Sequence, residues 1–334
     1  VAAITLACLV LAIFLPILDF EFVDYDVSSQ LLRNPHVRGL DLENVKKIFT
    51  SRCLTSYYPV RTLTLAVDHH LWGMNPRGFK LANMLIHLAN ALLLFWLILR
   101  LFRHPAGTDT LHAPSWDACM AGLAAGVFAV HPVVVEPVTW VAGREELLMT
   151  LGALGCMHFH LSARRLSEAG GRTRAALACR AASILCCAAA CLSNAVAAVI
   201  PLVITAWDVL TLDSPRFRKI LHGTWILWMI GLATIVIKRS GPVSELLEGQ
   251  AATFSRERLL LVPAVYWQNL NTLAWPADQP IVYSDTPPQG FLDVEVVLGG
   301  ISMALTFTVL WMLRRQKLAV FGLLSVGLDL SPSS

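Results

Sequence analysis

The chain has 334 residues, 56% of them hydrophobic and 15% charged, with a formal net charge of +3. Its mean hydropathy is +0.60, and soluble domains carry roughly 25% charged residues, so the composition indicates an integral membrane protein. The Lys and Arg residues gather at the ends of apolar runs, which suits topology setting and excludes a nucleic-acid binder.

Taken in chain order, residues 1–18 form an apolar run that nearly spans a hydrocarbon core of roughly 30 Å. No small-residue cleavage site separates this run from Asp19, Glu21, Asp24 and Asp26, which argues against a signal peptide. Such a carboxylate set at the mouth of a membrane scaffold suits a general base or a charge-reading site; it also suits the plain exit of a helix from the bilayer. Residues 19–80 then read as a long polar loop. Within it Leu42, Val45, Ile48 and Phe49 share one face of a short amphipathic helix lying on the membrane, and a second such segment is expected over 61–72.

Further spans are expected over 81–102, 118–135, 147–161, 175–192, 196–212, 224–237 and 294–313, about eight in all. Arg100 and Arg103, then Arg164, Arg165, Arg172 and Arg174, then Arg216, Arg218 and Lys219 fall on one side if the first loop is outside. That is the positive-inside pattern. The segment 259–275 carries Pro263, Tyr266, Trp267, Gln268 and Asn269 and reads as an interfacial or re-entrant helix within a last outer loop, 238–292. The cysteines of the apolar runs, Cys186, Cys187 and Cys191 among them, read as small hydrophobes without a disulfide or metal framework. Starting at Val1 without Met, the chain reads as a fragment or trimmed product.

Asn83, His87 and Asn90 stand at i, i+4 and i+7 and form a polar stripe in the second span. Helix-to-helix hydrogen bonding explains Asn90 best, whereas His87 suits packing or a cavity lining equally. His131 and Glu136 mark the outer end of the third span, and Arg144, Glu145 and Glu146 open the fourth. Arg144 could hold a lipid phosphate bidentately, or neutralise Glu136 or Asp26. Lys238, Arg239, Arg256 and Arg258, in the outer loop after the seventh span, depart from the positive-inside trend; they suit an anionic ligand, and solvated surface charge is the commoner explanation.

The runs FVDYDVSSQLLRNPHVRGL, YYPVRTLTLAVDHHLWGMNPRGFKLANMLIHLANALLLF, HPVVVEPVTWVAGREELL, SNAVAAVIPLVITAWD and NTLAWPADQPIVY resemble the membrane half of the transmembrane and tetratricopeptide-repeat proteins. The eukaryotic members of that family are O-mannosyltransferases. The resemblance covers nearly the whole chain and implies an all-α, polytopic helix bundle of the C-type glycosyltransferase type, a single domain over 1–334. In that picture Asp26 matches the first carboxylate of an Asp-Asp pair and is the general base, with Asp24 as a compensating neighbour. His131, Glu136, Arg144 and Glu145 match a second motif, and Asn83, His87 and Asn90 match the stripe. Two departures stand out: the second Asp of the pair is Val27, and a position where relatives often carry Lys is Asn194. No helical repeat of about 34 residues follows.

The resulting expectation is an inverting, metal-independent transferase without a cofactor. It moves a sugar, mannose above all, from a polyprenyl-phosphate carrier to a protein Ser or Thr hydroxyl on the non-cytoplasmic face of the endoplasmic reticulum or a bacterial inner membrane. Its partners are membrane lipid, the sugar donor and the protein acceptor. The alternative is a catalytically impaired membrane scaffold that binds lipid or a partner protein.

Overall fold

The computed structural model describes residues 1–22, 27–50, 57–102, 114–170, 173–211, 217–239, 256–276 and 290–312, and among these the regular structure is helical throughout. The chain divides into two compact units, one of residues 1–200 with 226–238 and the other of 201–225 with 239–334.

The first unit opens with α1 (Ala2–Phe14), which tightens at Pro16 into a 3-10 turn, Leu15–Asp19. Two amphipathic pieces follow, α2 (Leu42–Thr50) and α3 (Pro59–Trp72). In α2, Ile48 is buried while Leu42 and Phe49 stay exposed, which leaves an apolar edge on the amphipathic helix that its spacing predicts. The expectation of a second segment like it is met only in part. The face that α3 turns inward holds Arg61, Thr62 and Asp68 beside Leu65 and Ala66, which is a polar docking face and not an apolar one.

Gly73, at φ +61°, lets the chain turn sharply from α3 into α4 (Pro76–Phe102). At 27 residues and about 1.5 Å each, α4 exceeds the hydrocarbon thickness. Next come α5 (Pro114–Val130), the short α6 (Val135–Thr139), α7 (Arg144–Gly170) and α8 (Arg174–Ser193). His131-Pro132 breaks the third expected span, because a residue before proline is pushed out of the helical region, and the axis bends there by 52°. Leu6, Val10 and Phe14 of α1 pack with Met84, Ala91 and Phe95 of α4 and with Ala121, Ala125 and Ala129 of α5. The alanine stripe at every fourth residue lets the three backbones approach closely, since lipid offers no hydrophobic drive and tight packing must supply the stability.

Of α9 (Ile200–Thr211) and α10 (Phe217–Arg239), residues 201–211 and 217–225 belong to the second unit and 226–238 to the first; the second unit also contains α11 (Arg256–Ala274) and α12 (Val294–Met312). Leu260 and Ala264 of α11 bury against Val296 of α12, and the Tyr266 hydroxyl meets Thr306 Oγ1 at 2.8 Å.

By length and composition three described helices can cross a membrane: Ala2–Asp19, Pro76–Phe102 and Arg174–Ser193. They become four if the bent pair Trp116–Val130 and Pro132–Thr139 is one span. Ala195–Thr211, Gly223–Val236 and Val294–Val309 are shorter apolar helices at the places of the sixth, seventh and eighth expected spans. The fourth expected span lies inside α7, which is long but too polar to meet the same test.

Candidate functional site

The acidic segment is held at both ends. Lys80, in the first turn of α4, donates from Nζ to the backbone carbonyls of Phe20 and Glu21, each at 2.9 Å. Phe22 packs edge-on against Phe79 with ring centroids 5.7 Å apart. Val27, on the far side of the segment, is buried in the cluster of Leu31, Val37, Leu65, Phe79, Val141 and Ala142. Asp24 and Asp26, the expected catalytic carboxylates, lie outside the described residues; their neighbours on either side converge on Phe79.

Beneath Phe79 sits Arg144, the first residue of α7, completely buried. Its Nη2 donates to the Phe79 carbonyl at 2.8 Å, its Nε to Asn83 Oδ1 at 2.6 Å, and its Nη1 lies 2.5 Å from Asp68 Oδ2. Asn83 Nδ2 in turn reaches the carbonyls of Pro137, Val138 and Trp140 at 3.3–3.4 Å. One guanidinium thus ties α3, α4 and α7 together, and one amide adds the α6 turn. Desolvation lifts the Asp68 carboxyl above its ordinary pKa, and the charge and hydrogen bond of Arg144 pull it back. A second ion pair, Arg61 with Glu145, joins α3 to α7 beside the first, and the Tyr58 ring lies 4.8 Å from the Arg61 guanidinium.

Arg144 therefore differs from the phosphate-contacting group expected of it. Among the described residues its charge is met by Asp68, and it has no exposed surface with which to reach a lipid. Its geometry is that of a pivot joining α3, α4 and α7.

The other expected residues fall into place around it. His87 is fully buried against Phe14 and Phe128, with ring centroids at 5.3 and 5.6 Å, and its Nε2 meets the Ala129 carbonyl at 3.0 Å. It packs between α1, α4 and α5. Asn90 donates to the Leu147 carbonyl at 2.9 Å, the helix-to-helix bond its position suggested. His131 caps the turn after α5 by accepting from the Val133 amide at 3.2 Å, and Glu136 is exposed on α6. Asn194 accepts from the Val196 amide at 3.0 Å, capping the turn after α8, a bond that a lysine could not accept. Arg239 ends α10, and Arg256 and Arg258 open α11 in the second unit; their side chains lie outside the described residues.

Sequence reasoning missed Arg61, Asp68 and Lys80. Arg61 and Asp68 stand seven residues apart, two helical turns on one face, and their opposite charges match the adjacent Arg144-Glu145 pair in reverse order. That reciprocal pattern was available in the sequence, but a helix with charges on one face reads first as a solvated surface helix.

Chemically, the arrangement offers a rigid, charge-neutral platform at one end of the bundle with an acidic segment tethered above it. Among the described residues no group of three or more His, Cys, Asp or Glu side chains has the geometry to hold a metal ion.

No protein-family model matches the chain, and no solved structure matches it. Curated relatives do. The chain is 29% identical over 163 residues to a protein O-mannosyl-transferase of Caenorhabditis elegans, covering 46% of this chain and 22% of that protein. It is 38% identical over 103 residues to protein O-mannosyl-transferase Tmtc3 of Drosophila melanogaster, 29% of this chain and 11% of that protein. It is 34% identical over 100 residues to human protein O-mannosyl-transferase TMTC4, 29% of this chain and 13% of that protein. The alignments thus span about a tenth to a fifth of the length of these relatives. With its apolar helices the chain is a membrane protein, and by these alignments it is a relative of the transmembrane and tetratricopeptide-repeat, O-mannosyltransferase-like proteins.

Proposed function

We propose that the protein is a multi-pass membrane glycosyltransferase of the C-type architecture that moves a sugar, mannose first of all, from a polyprenyl-phosphate carrier to a protein Ser or Thr hydroxyl on the non-cytoplasmic face. The relatives carry the name protein O-mannosyl-transferase. The observation that supports the reading for this chain is the tethering of residues on both sides of the acidic pair to α4: Phe22 and Val27 pack on Phe79, whose carbonyl the buried Arg144 bonds, and Lys80 holds the carbonyls of Phe20 and Glu21. Positioning of a base over a fixed platform is what a transfer between two bound substrates requires.

In this mechanism Asp26 accepts the proton of the acceptor hydroxyl, with Asp24 beside it. The hydroxyl oxygen attacks the anomeric carbon from the face opposite the phosphate. The bond from that carbon to the phosphate oxygen breaks with inversion, its electron pair leaving with the polyprenyl phosphate. Neither a covalent intermediate nor a metal is called for. The host membrane is the endoplasmic reticulum in a eukaryote or the inner membrane in a bacterium.

The scaffold reading has one observation in its favour. Where the resemblance calls for a second carboxylate, Val27 is buried in an apolar cluster, so the position is built for packing and a carboxylate there would be desolvated. Incubation of the purified protein with a radiolabelled mannosyl polyprenyl phosphate and a Ser/Thr-rich peptide separates the two. Labelled peptide is expected, and Asp26→Asn slows its formation by about 10²–10⁴-fold. No transfer by the wild type from a panel of polyprenyl-phosphate sugars overturns the enzyme reading in favour of the scaffold.

A further inference from the structure

Arg100 stands near the far end of α4, about 30 Å along the helix from Phe79 and the Arg144 platform. Its Nη1 donates to the His158 carbonyl and to Ser162 Oγ of α7, each at 2.9 Å, and Cys179 of α8 lies within its electrostatic reach. Its Nε is buried and bonded to nothing among the described residues. Among those residues the charge that acts on this guanidinium is of its own sign, that of Arg165. His158, Ser162 and Arg165 stand at i, i+4 and i+7, so Arg165 shares the side of α7 that faces α4. The carboxylate at the same end of α7, Glu168, is bonded to Arg164 at 3.0 Å. Two guanidiniums thus repel across one gap, and an anion between them turns that repulsion into attraction.

Beside this gap the surface is aromatic. Trp96, one turn before Arg100 on α4, is 51% exposed, and Phe159, one turn before Ser162 on α7, is 40% exposed. The two helices run in the same direction, so the flank of α4 that precedes its contact line and the flank of α7 that follows its own fall on one side of the pair. Trp96 and Phe159 occupy those two flanks. A pair of cations therefore heads an exposed aromatic strip on a helix long and apolar enough to cross a membrane.

We propose that Arg100 and Arg165 together bind the phosphate of an anionic glycerophospholipid, whose acyl chains lie on Trp96 and Phe159. Guanidinium groups match phosphate oxygens in geometry and charge, and Arg100 Nε is the donor left over for the bond. An anionic headgroup is preferred because a choline headgroup brings its own cation back to the pair. The aromatic strip favours a lipid over a soluble anion, since aromatic side chains sit at headgroup depth. The site lies at the opposite end of α4 from the acidic segment, and it is independent of the transferase reading.

The test is crosslinking of the purified protein in phosphatidylcholine nanodiscs that contain a trace of phosphatidylglycerol with a photoactivatable acyl chain, the adducts being mapped by peptide mass spectrometry. Wild-type protein is expected to be labelled on the peptides that carry Trp96 and Phe159, and unlabelled phosphatidylglycerol to suppress the labelling. Arg100→Gln combined with Arg165→Gln lowers it about tenfold or more, the usual loss when charge-assisted bonds are removed. Arg174→Gln leaves it unchanged, because Arg174 is exposed and stands half a turn round α8 from Ser183, which faces α7. Should the double variant fail to fold, Arg165→Glu serves: the position is exposed, and a carboxylate there pairs with Arg100 and expels the phosphate, with the same loss of label. Wild-type protein without saturable labelling at these peptides, or labelling of Arg165→Glu or of the folded double variant equal to wild type, overturns the proposal. An equal loss in Arg174→Gln overturns it in favour of general surface charge. Equal labelling by a phosphatidylcholine probe of the same design leaves only bulk lipid, and suppression by inorganic phosphate gives the site to a soluble anion; either result overturns the anionic-lipid assignment.

Discussion

At the scale of single residues, the Asp68–Arg144 pair decides how much of the site is structure and how much is chemistry. Both groups are buried, so the attraction between them is set against the desolvation of each, and removing one partner leaves the other charged in a place water does not reach. Asp68→Asn and Arg144→Gln are each expected to destabilise the protein by about 3–5 kcal/mol, read as the loss of resistance to thermal or denaturant unfolding in micelles. The double replacement Asp68→Leu with Arg144→Met should recover most of that loss, because residues in direct contact do not behave additively. If the double variant is as unstable as the sum of the two, the pair is not the coupled unit described above. Arg144 also shows what the sequence could offer and where it stopped. A guanidinium at the head of a helix next to two glutamates marked a place of importance, but its partner depended on Asp68, 76 positions earlier on a helix whose orientation only packing fixes.

Among the elements, the apolar runs were legible to within a few residues, because a membrane helix must satisfy its own backbone and therefore announces itself by length and hydropathy. The exception is α7. Gly152 lies so close to α8 that a Cβ there would stand 2.8 Å from Ala190 Cβ and from the Cys186 carbonyl. Cys156 Sγ meets Ser183 Oγ at 3.3 Å in the same interface, and Ser183 donates to the Cys156 carbonyl at 3.0 Å. Cys186 meets Gly152 and Gly155 in this seam of small residues, and Cys187 and Cys191 are buried, so these cysteines of α8 pack as small side chains, as their surroundings in the sequence suggested. Gly152→Val should force α7 and α8 apart, with a loss of stability of about 1–3 kcal/mol, the usual cost of overpacking. Gly126→Val, where nothing stands within 4 Å of the added carbon, should cost far less in the same unfolding assay. Equal effects of the two substitutions would show that the α7–α8 seam is not close-packed.

For the whole molecule, the decisive question is whether α7 crosses the bilayer, because the sidedness of every later segment turns on it. Its composition argues against a span, with His158, His160, Arg164 and Arg165 in its second half. Its contacts argue for one. Going down α4 from its start, Phe79 and Asn83 meet Arg144, Asn90 meets the Leu147 carbonyl at 2.9 Å, Leu93 meets His158 at 2.9 Å, and Arg100 meets the His158 carbonyl and Ser162 at 2.9 Å. The two helices therefore run side by side in the same direction, and α4 is long and apolar enough to cross. Arg144, His158 and Ser162, three of the polar side chains that lower the hydropathy of α7, are bonded to α4 and not to water. On this argument α4, the bent α5–α6 pair and α7 make three crossings, an odd number, and place α2 and the end of α7 on opposite faces. Cysteines introduced at Glu43 on α2 and Glu168 near the end of α7, both exposed, test it in sealed vesicles of known orientation, on a background with the exposed native thiols removed. Glu43→Cys is expected to react with an impermeant thiol reagent from the non-cytoplasmic side, and Glu168→Cys from the cytoplasmic side alone. Labelling of both from one side would make α7 a surface helix, move Arg164 and Arg165 outside, and break the charge asymmetry on which the eight-span arrangement rests.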